Sequence, residues 1–333
     1  MYFLLGICLI FALLWTLNLL ASLTASVIWR VVARPASHLS SRKQEQIIFT
    51  LRAFPVGVAV IFVLAFLLPA YVLFEPLSSG ETVSVKLGLI SLASLLGIGL
   101  AGYRVFRTWL ATRRLTTSWL RHSERIGVDE VNIPVYRIRH PFPVIAVVGM
   151  IRPRMFVASQ VFDSLSPDEF RSAIAHEYGH LHAHDNFKRT FLRVCRDMLV
   201  LPLGRELDKA WTENTEAAAD EYAANVGGDS MALDLASTLI KIARIAPQNT
   251  SPAMPLGSFL IEAHEGDLKH RVGKLIELSE NHSAPKRLTR ISPGQMLWAY
   301  AGLAMVAVGL LASNKAFLMA VHDISENVVH ILQ

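Results

Sequence analysis

Residues 175–180 read AHEYGH, and this stretch contains the pattern H-E-x-x-H. On an α-helix, residues four apart lie on the same face, so the rings of His176 and His180 can bind a single metal ion. Glu177 lies beside them, where its carboxylate can take a proton from water. Two neutral imidazoles are usual zinc ligands, and a catalytic zinc site needs a third protein ligand. The stretch therefore predicts a helix in a zinc site, against the alternative of a helix that carries these residues by chance.

The residues before the motif predict where its helix begins. Ser166 can cap the helix, Pro167 suits its first position, and Glu169 completes a capping box. Gly179, inside the motif, is a poor helix former, and a close neighbour over that face would explain it. The motif helix is predicted to run from Ser166 to about Val200.

A third metal ligand has two possible sources. His182 and His184 follow the motif, but helix geometry carries them away from a metal held by the first two histidines, and we interpret both as solvated. Residues 213–224 are alanine-rich and predict a second helix that ends at the following pair of glycines. On that helix Glu216 can bind the metal, while Asp220, on the same face, accepts a hydrogen bond from a ligand histidine. The alternative is a solvated acidic face, but the alanines between the two carboxylates favour close helix packing.

H-E-x-x-H followed by E-x-x-x-D on a second helix resembles the gluzincin metallopeptidases of membranes. Two branches are similar: the HtpX and CAAX prenyl proteases, and the beta-lactam-sensor transducers of the BlaR/MecR type. Asp185, which follows His180 by five residues, also fits both branches. Residues 143–149 and 152–157 resemble the strand pair that precedes the motif helix in the second branch.

The resemblance implies a zinc-dependent endopeptidase that acts on a protein or peptide substrate. The implied ligands of Zn²⁺ are His176, His180 and Glu216, and the implied catalytic residues are Glu177, Asp220 and Arg271. Arg271 is the nearest match to the His or Arg that can steady the oxyanion in HtpX-like relatives; the alternative is a simple cation on a helix surface.

The composition predicts a membrane protein. The chain of 333 residues is 52% hydrophobic with a mean hydropathy of +0.39, which is rare among soluble globular proteins. The formal charge of +5 would suit nucleic acid, but the basic residues cluster beside apolar segments. A lipid bilayer with anionic headgroups is therefore the expected partner, and nucleic acid is not. Cys8 and Cys195 indicate neither a disulfide framework nor a cysteine metal site.

Four apolar segments predict four transmembrane helices, at residues 2–29, 54–74, 85–106 and 296–312. A cleaved signal peptide is the alternative for the first, but that segment lacks a basic start and is too long. Basic residues flank these segments on one side, after the first and third and before the fourth, so that side is predicted to be cytoplasmic.

The predicted fold is a mainly α integral membrane protein of the bacterial cytoplasmic membrane. Residues 1–106 hold three transmembrane helices, residues 107–291 a cytoplasmic α+β zincin-like peptidase domain, and residues 292–333 a fourth transmembrane helix with a short external tail. This is the BlaR/MecR layout, but the tail leaves no room for an external sensor domain, so beta-lactam sensing is not carried over.

Within the predicted domain, residues 109–126 are expected to form a basic helix along the membrane surface. Residues 131–159 predict short strands, whose open edge can bind a peptide by β-augmentation; the alternative is an ordinary small sheet over the core. Further helices are predicted at residues 231–245 and 258–280, with a proline-rich loop at 248–257 between them.

The predicted function is hydrolysis of peptide bonds in a protein substrate at the cytoplasmic membrane face, for regulation or for quality control. The alternative is a non-catalytic membrane signal transducer with a structural zinc site. Glu177 separates the two, since a structural site has no use for a base.

Overall fold

The computed structural model describes residues 2–76, 83–128, 131–201, 203–246, 265–280 and 293–332, which are mainly helical and include one small mixed sheet. The helices are α1 (Tyr2–Ala36), α2 (Ser41–Phe62), α3 (Leu68–Phe74), α4 (Val85–Arg121), α5 (Ser159–Ser164), α6 (Pro167–His182), α7 (Asp185–Asp197), α8 (Arg205–Ile245), α9 (Glu265–Glu280), α10 (Pro293–Ser313) and α11 (Lys315–Leu332). The strands are β1 (Ser123–Ile126), β2 (Val135–Ile138), β3 (Ile145–Val148) and β4 (Arg154–Ala158). A π-helical turn over Val63–Leu67 joins α2 to α3.

Three helices near the start of the chain are long and apolar enough to cross a membrane: Tyr2–Ala36, Ser41–Phe74 and Val85–Arg121. They contain the first three predicted segments, so the prediction of a membrane protein is confirmed at this level. The pair Gly302–Ser313 and Lys315–Ile331 meets the same criterion only together, with a bend of 79° between its members. The fourth transmembrane helix and the domain layout therefore stay predictions.

The last helix, α11, packs against α3. Leu318 and Val321 lie in one buried apolar cluster with Phe66 and Ala70. Residues 315–332 are thus an ordered amphipathic helix, where the sequence predicted only a short tail.

Two predicted helix boundaries are wrong. The surface helix at residues 109–126 is not a separate element, because α4 continues to Arg121 and Ser123–Ile126 forms β1. The motif helix ends at His182, well before Val200, because His184 adopts a left-handed backbone with a φ of 56°. A left-handed residue cannot continue a right-handed helix, so a second helix, α7, starts after it.

The predicted capping box starts α6. The Ser166 hydroxyl accepts from the Glu169 N–H at 3.3 Å, and the Ser166 N–H donates to the Glu169 carboxylate at 2.8 Å. Lys241 and Ser237 of α8 also donate to this carboxylate. Burial alone would raise the pKa of Glu169, but these partners outweigh it and lower the pKa to about 2. The start of the motif helix is thereby fixed to α8.

The middle of α6 packs closely against α8, as the glycine in the motif predicted. A Cβ atom on Gly179 would lie 3.2 Å from the Ala219 Cα and from the Tyr222 ring, so a larger residue would push the two helices apart. Helix α8 breaks at Gly228, whose φ of 74° and ψ of −159° are accessible to glycine. The predicted end of the second helix is therefore confirmed.

The sheet has the strand order β1-β2-β4-β3, with β2 and β4 parallel and the other two pairs antiparallel. The predicted strands within residues 131–159 are thus confirmed. Phe156 and Met155 of β4 are fully buried in a core that also contains Leu235 and Leu239 of α8. Strand β3 lies at the sheet edge and packs against the motif helix. The predicted loop at 248–257 lies outside the described residues.

Candidate metal centre

Helices α6 and α8 bring the three predicted metal ligands together. The Nε2 atoms of His176 and His180 lie 3.2 Å apart, and each lies 3.6 Å from an oxygen of Glu216. Nitrogen ligands of a tetrahedral zinc at about 2.0–2.1 Å lie about 3.3–3.4 Å from each other. The three side chains are therefore spaced as ligands of one small cation would be, and they form a group that can hold a metal ion.

The outer nitrogen of each ligand histidine faces a carboxylate. His176 Nδ1 lies 2.9 Å from Asp220 Oδ1, and His180 Nδ1 lies 2.9 Å from Asp185 Oδ2. These carboxylates favour the tautomers with the proton on Nδ1, which leave the Nε2 lone pairs facing inward. Two lone pairs that face each other repel unless a proton or a metal cation lies between them, so the arrangement suits a metal that takes the place of the proton.

The environment of Glu216 also favours a bound metal ion. Both of its oxygens are buried and make no hydrogen bond among the described residues. A buried carboxylate without hydrogen bonds is costly, and a bound cation would offset that cost. The two-nitrogen, one-oxygen donor set is the set that catalytic zinc uses in several metallopeptidases.

The carboxylates make the centre attractive to cations. Burial alone would lower the pKa of His180, but Glu216 and Asp185 outweigh it and raise the pKa to about 10. The pKa of His176 is raised in the same way, because Asp220 and Glu216 outweigh the effect of burial. Burial alone would raise the pKa of Glu216, but the two histidines and Arg271 hold it well below its usual value.

Glu177 is close to the centre but bonded elsewhere. Its Oε2 accepts a hydrogen bond from the Val147 N–H of β3 at 3.2 Å, and its Oε1 is buried and makes no hydrogen bond among the described residues. Burial raises the pKa of Glu177 to about 7, against the attraction of the two histidines. A carboxyl with this pKa can both take up and release a proton near neutral pH.

Arg271 of α9 also reaches the centre. Its guanidinium donates to both oxygens of Asp220, at 2.9 and 2.7 Å, and its Nη1 lies 3.4 Å from Glu216. Burial alone would raise the pKa of Asp220, but Arg271 and His176 outweigh it and lower the pKa to about 2. Arg271 is thus placed to fix the carboxylate that orients His176. A role in steadying an oxyanion stays a prediction.

A buried ionic network behind Asp185 was not predicted. Glu45 of α2 is 0% exposed, and its Oε1 accepts from Lys188 and from the Trp211 indole N–H, each at 3.0 Å. Lys188 and Arg42 both lie between Glu45 and Asp185, at 3.8 and 3.9 Å from Asp185 Oδ1. Glu45 is the one acidic residue in residues 30–53, which hold five arginines and lysines. This isolated acidic residue among basic ones was the sequence feature that could have predicted the network.

The edge of β3 is partly occupied by side chains. The Ala158 N–H donates a hydrogen bond to the Val144 carbonyl. Along an antiparallel strand, residues alternate between those that bond to the neighbouring strand and those that do not, so the N–H and C=O of Val147 point away from β4. Its N–H is taken by Glu177, and its carbonyl accepts from Asn186 Nδ2 at 3.0 Å. The predicted edge exists, but at Val147 it is closed by these two residues.

An open cavity of about 610 Å³ lies beside the centre, and Glu216 is one of its lining residues. Its lining includes Gln44, Thr212, Asp220, His270, Arg271 and Lys274. The remaining histidines of the motif region are outside the centre, because His182 and His184 are exposed, as predicted.

No protein-family model matches the chain, and no curated protein matches it in sequence.

Proposed function

We propose that this protein is a membrane-bound zinc-dependent endopeptidase that hydrolyses peptide bonds of a protein substrate. The observation that carries the proposal is the pairing of a three-ligand centre with a carboxylate that is not a ligand. Glu177 follows His176 directly in the chain, is 1% exposed, and has one oxygen without a hydrogen bond among the described residues. A purely structural metal site would gain nothing from such a group.

His176, His180 and Glu216 would hold the metal. When bound there, zinc supplies a Lewis acid that polarises a carbonyl and acidifies water. Asp220 and Asp185 keep the imidazole rings oriented, and Arg271 keeps Asp220 in place.

Glu177 is the proposed proton carrier. It takes a proton from the attacking water and delivers it to the leaving amine of the scissile peptide. The pKa of about 7 that burial gives this carboxyl suits both transfers, because the group changes protonation state near neutral pH.

The substrate is proposed to bind along β3. A peptide that adds to this edge would take the Val147 N–H, which Glu177 Oε2 now occupies. Substrate binding would then free the carboxylate for proton transfer. The cavity beside Glu216 offers space for side chains of the substrate, and its wall carries the cations of Arg271 and Lys274 as well as the carboxylates of Glu216 and Asp220.

The proposed location is the cytoplasmic face of a bacterial cytoplasmic membrane. The three long apolar helices support a membrane location, and the distribution of arginine and lysine between them supports the orientation. Both a regulatory and a quality-control substrate fit this placement.

The test is a matched pair of carboxamide variants in the full-length protein, purified in detergent. Glu177→Gln keeps the side-chain size and should lower cleavage of casein by about 10²- to 10⁴-fold, because the base is lost. Its zinc content should equal that of the parent, because all three ligands remain. Glu206→Gln is the control, since Glu206 lies on the same helix as Glu216 but is largely exposed.

Equal cleavage by Glu177→Gln and the parent would contradict the proposal. A protein that binds zinc at His176, His180 and Glu216 and cleaves neither casein nor itself would instead support the non-catalytic transducer.

A further inference from the structure

A second group of metal-binding side chains lies where α11 packs on α3. Glu75 directly follows α3, and His322 and Glu326 are one helical turn apart on α11. One ligand atom from each of the three residues lies within 4.8 Å of the others. Two ligands on one zinc ion at about 2.1 Å can be at most about 4.2 Å apart, so a small side-chain movement would close the group around an ion.

The burial of this group points to a ligand. His322 and Glu75 are each 8% exposed, and His322 Nδ1 makes no hydrogen bond among the described residues. His322 Nε2 lies 3.4 Å from Glu326 Oε1. An imidazole nitrogen that is buried without a partner is uncommon, and a histidine beside two carboxylates is a donor set that binds divalent transition metals.

Access to the group is from one side. The Glu326 side chain is 42% exposed, whereas the His322 side chain is 10% exposed. The Glu326 carboxylate is therefore the exposed member of the group, past which an ion can reach the buried ligands.

We propose that Glu75, His322 and Glu326 form a second metal site, which binds a divalent transition-metal ion such as Zn²⁺ and fastens α11 to α3. The site is separate from the centre at His176. Ser41–Phe74 is one helix of 34 residues, which spans about 50 Å. Glu45, near its start, contacts the elements of the first centre, and Glu75 follows its other end.

The proposal predicts a fixed stoichiometry of zinc. The full-length protein in detergent is stripped with a chelator, dialysed against Zn²⁺ at micromolar concentration, and analysed for bound zinc per chain. The variant His176→Ala/His180→Ala removes the first centre and should retain one equivalent. Adding His322→Ala or Glu75→Gln to it should reduce bound zinc to none.

The matched control is His330→Ala in the same background. His330 lies on α11 like His322 but is exposed, so its loss should leave the equivalent in place. Zinc-free His176→Ala/His180→Ala protein would overturn the proposal, as would unchanged binding after His322→Ala.

If the first centre is needed for folding, bound zinc is counted instead in proteins that keep His176 and His180. There the parent should bind two equivalents and His322→Ala one, with His330→Ala at two. One equivalent in all three proteins would overturn the second site. The measurement counts metal and does not depend on proteolysis, so its failure leaves the proposed function standing.

Discussion

The two histidine–carboxylate groups differ in how their ligands are supported. In the centre on α6 and α8, each imidazole ring has a carboxylate at its outer nitrogen, Asp220 for His176 and Asp185 for His180. In the group on α3 and α11, the described contact of His322 with a carboxylate is the one from Nε2 to Glu326 Oε1, at 3.4 Å. Supported ligands keep their orientation when the metal exchanges bonds during a reaction, so the first centre suits chemistry and the second suits attachment of one helix to another.

The groups also differ in what lies beside them. Glu177 adds a buried carboxyl to the first centre that no metal ligand requires. In the second group the carboxylate of Glu326 is itself the exposed entrance. We therefore expect the first centre to bind zinc more tightly. Changes to its supports should weaken zinc binding less, the farther they lie from the ligands.

The largest effect is expected from the third ligand. Glu216→Ala leaves two histidines and removes the charge that both of them face, so zinc and proteolysis should be lost together. Bound zinc is measured after dialysis against a weak chelator, in a His322→Ala background so that only the first centre is counted. Glu213→Ala is the control, and it should keep a full equivalent. Zinc retained by Glu216→Ala at the parental level would show that another residue is the third ligand.

A smaller effect is expected from the carboxylates behind the histidines. Asp185→Asn and Asp220→Asn should each lower zinc affinity or activity by about 10- to 100-fold, because the rings lose the charge that orients them. Competition with a chromophoric chelator measures the affinity. Asp220→Asn should have the larger effect, since it also removes the charge of the carboxylate to which the buried Arg271 donates two hydrogen bonds. An unchanged zinc affinity in both variants would mean that the carboxylates behind His176 and His180 do not support metal binding. The first centre would then not differ from the second group in this respect.

Much of the first centre could be predicted from local sequence. The helical period places His176 with His180 and Glu216 with Asp220, and the capping box fixes where α6 begins. Gly179 predicted the close contact that brings α8 to the motif. These are short-range rules, and they held because both helices are regular through the residues concerned.

What the sequence could not give depends on contacts between distant segments or on single backbone angles. Glu45 meets Lys188 across 143 residues, and no local pattern pairs them. The end of α6 is set by the left-handed conformation of His184, an uncommon choice for a residue other than glycine. Helix α4 continues beyond the apolar segment because backbone hydrogen bonding sets its length, whereas hydropathy sets only the part that lies in lipid.

The smallest effect on the first centre is expected at Glu45, the most distant of its supports. Lys188 and Arg42 lie between Glu45 and Asp185, so the charge of Glu45 helps to keep both cations away from the Asp185 carboxylate. Glu45→Gln preserves the size and one acceptor oxygen but removes the charge. Both cations should then move toward Asp185, which weakens its hold on His180.

Networks of this kind contribute about 0.5–2 kcal/mol to coupling, so zinc affinity should fall by about 2- to 30-fold in Glu45→Gln. Glu206→Gln is the matched control, since Glu206 pairs with Arg30 of α1 but both side chains are largely exposed. The same chelator competition separates the two variants, and the elution volume in detergent shows whether each is folded. A folded Glu45→Gln protein with parental zinc affinity would mean that α2 only anchors the domain, and that the buried ions beside Asp185 do not act on the metal centre.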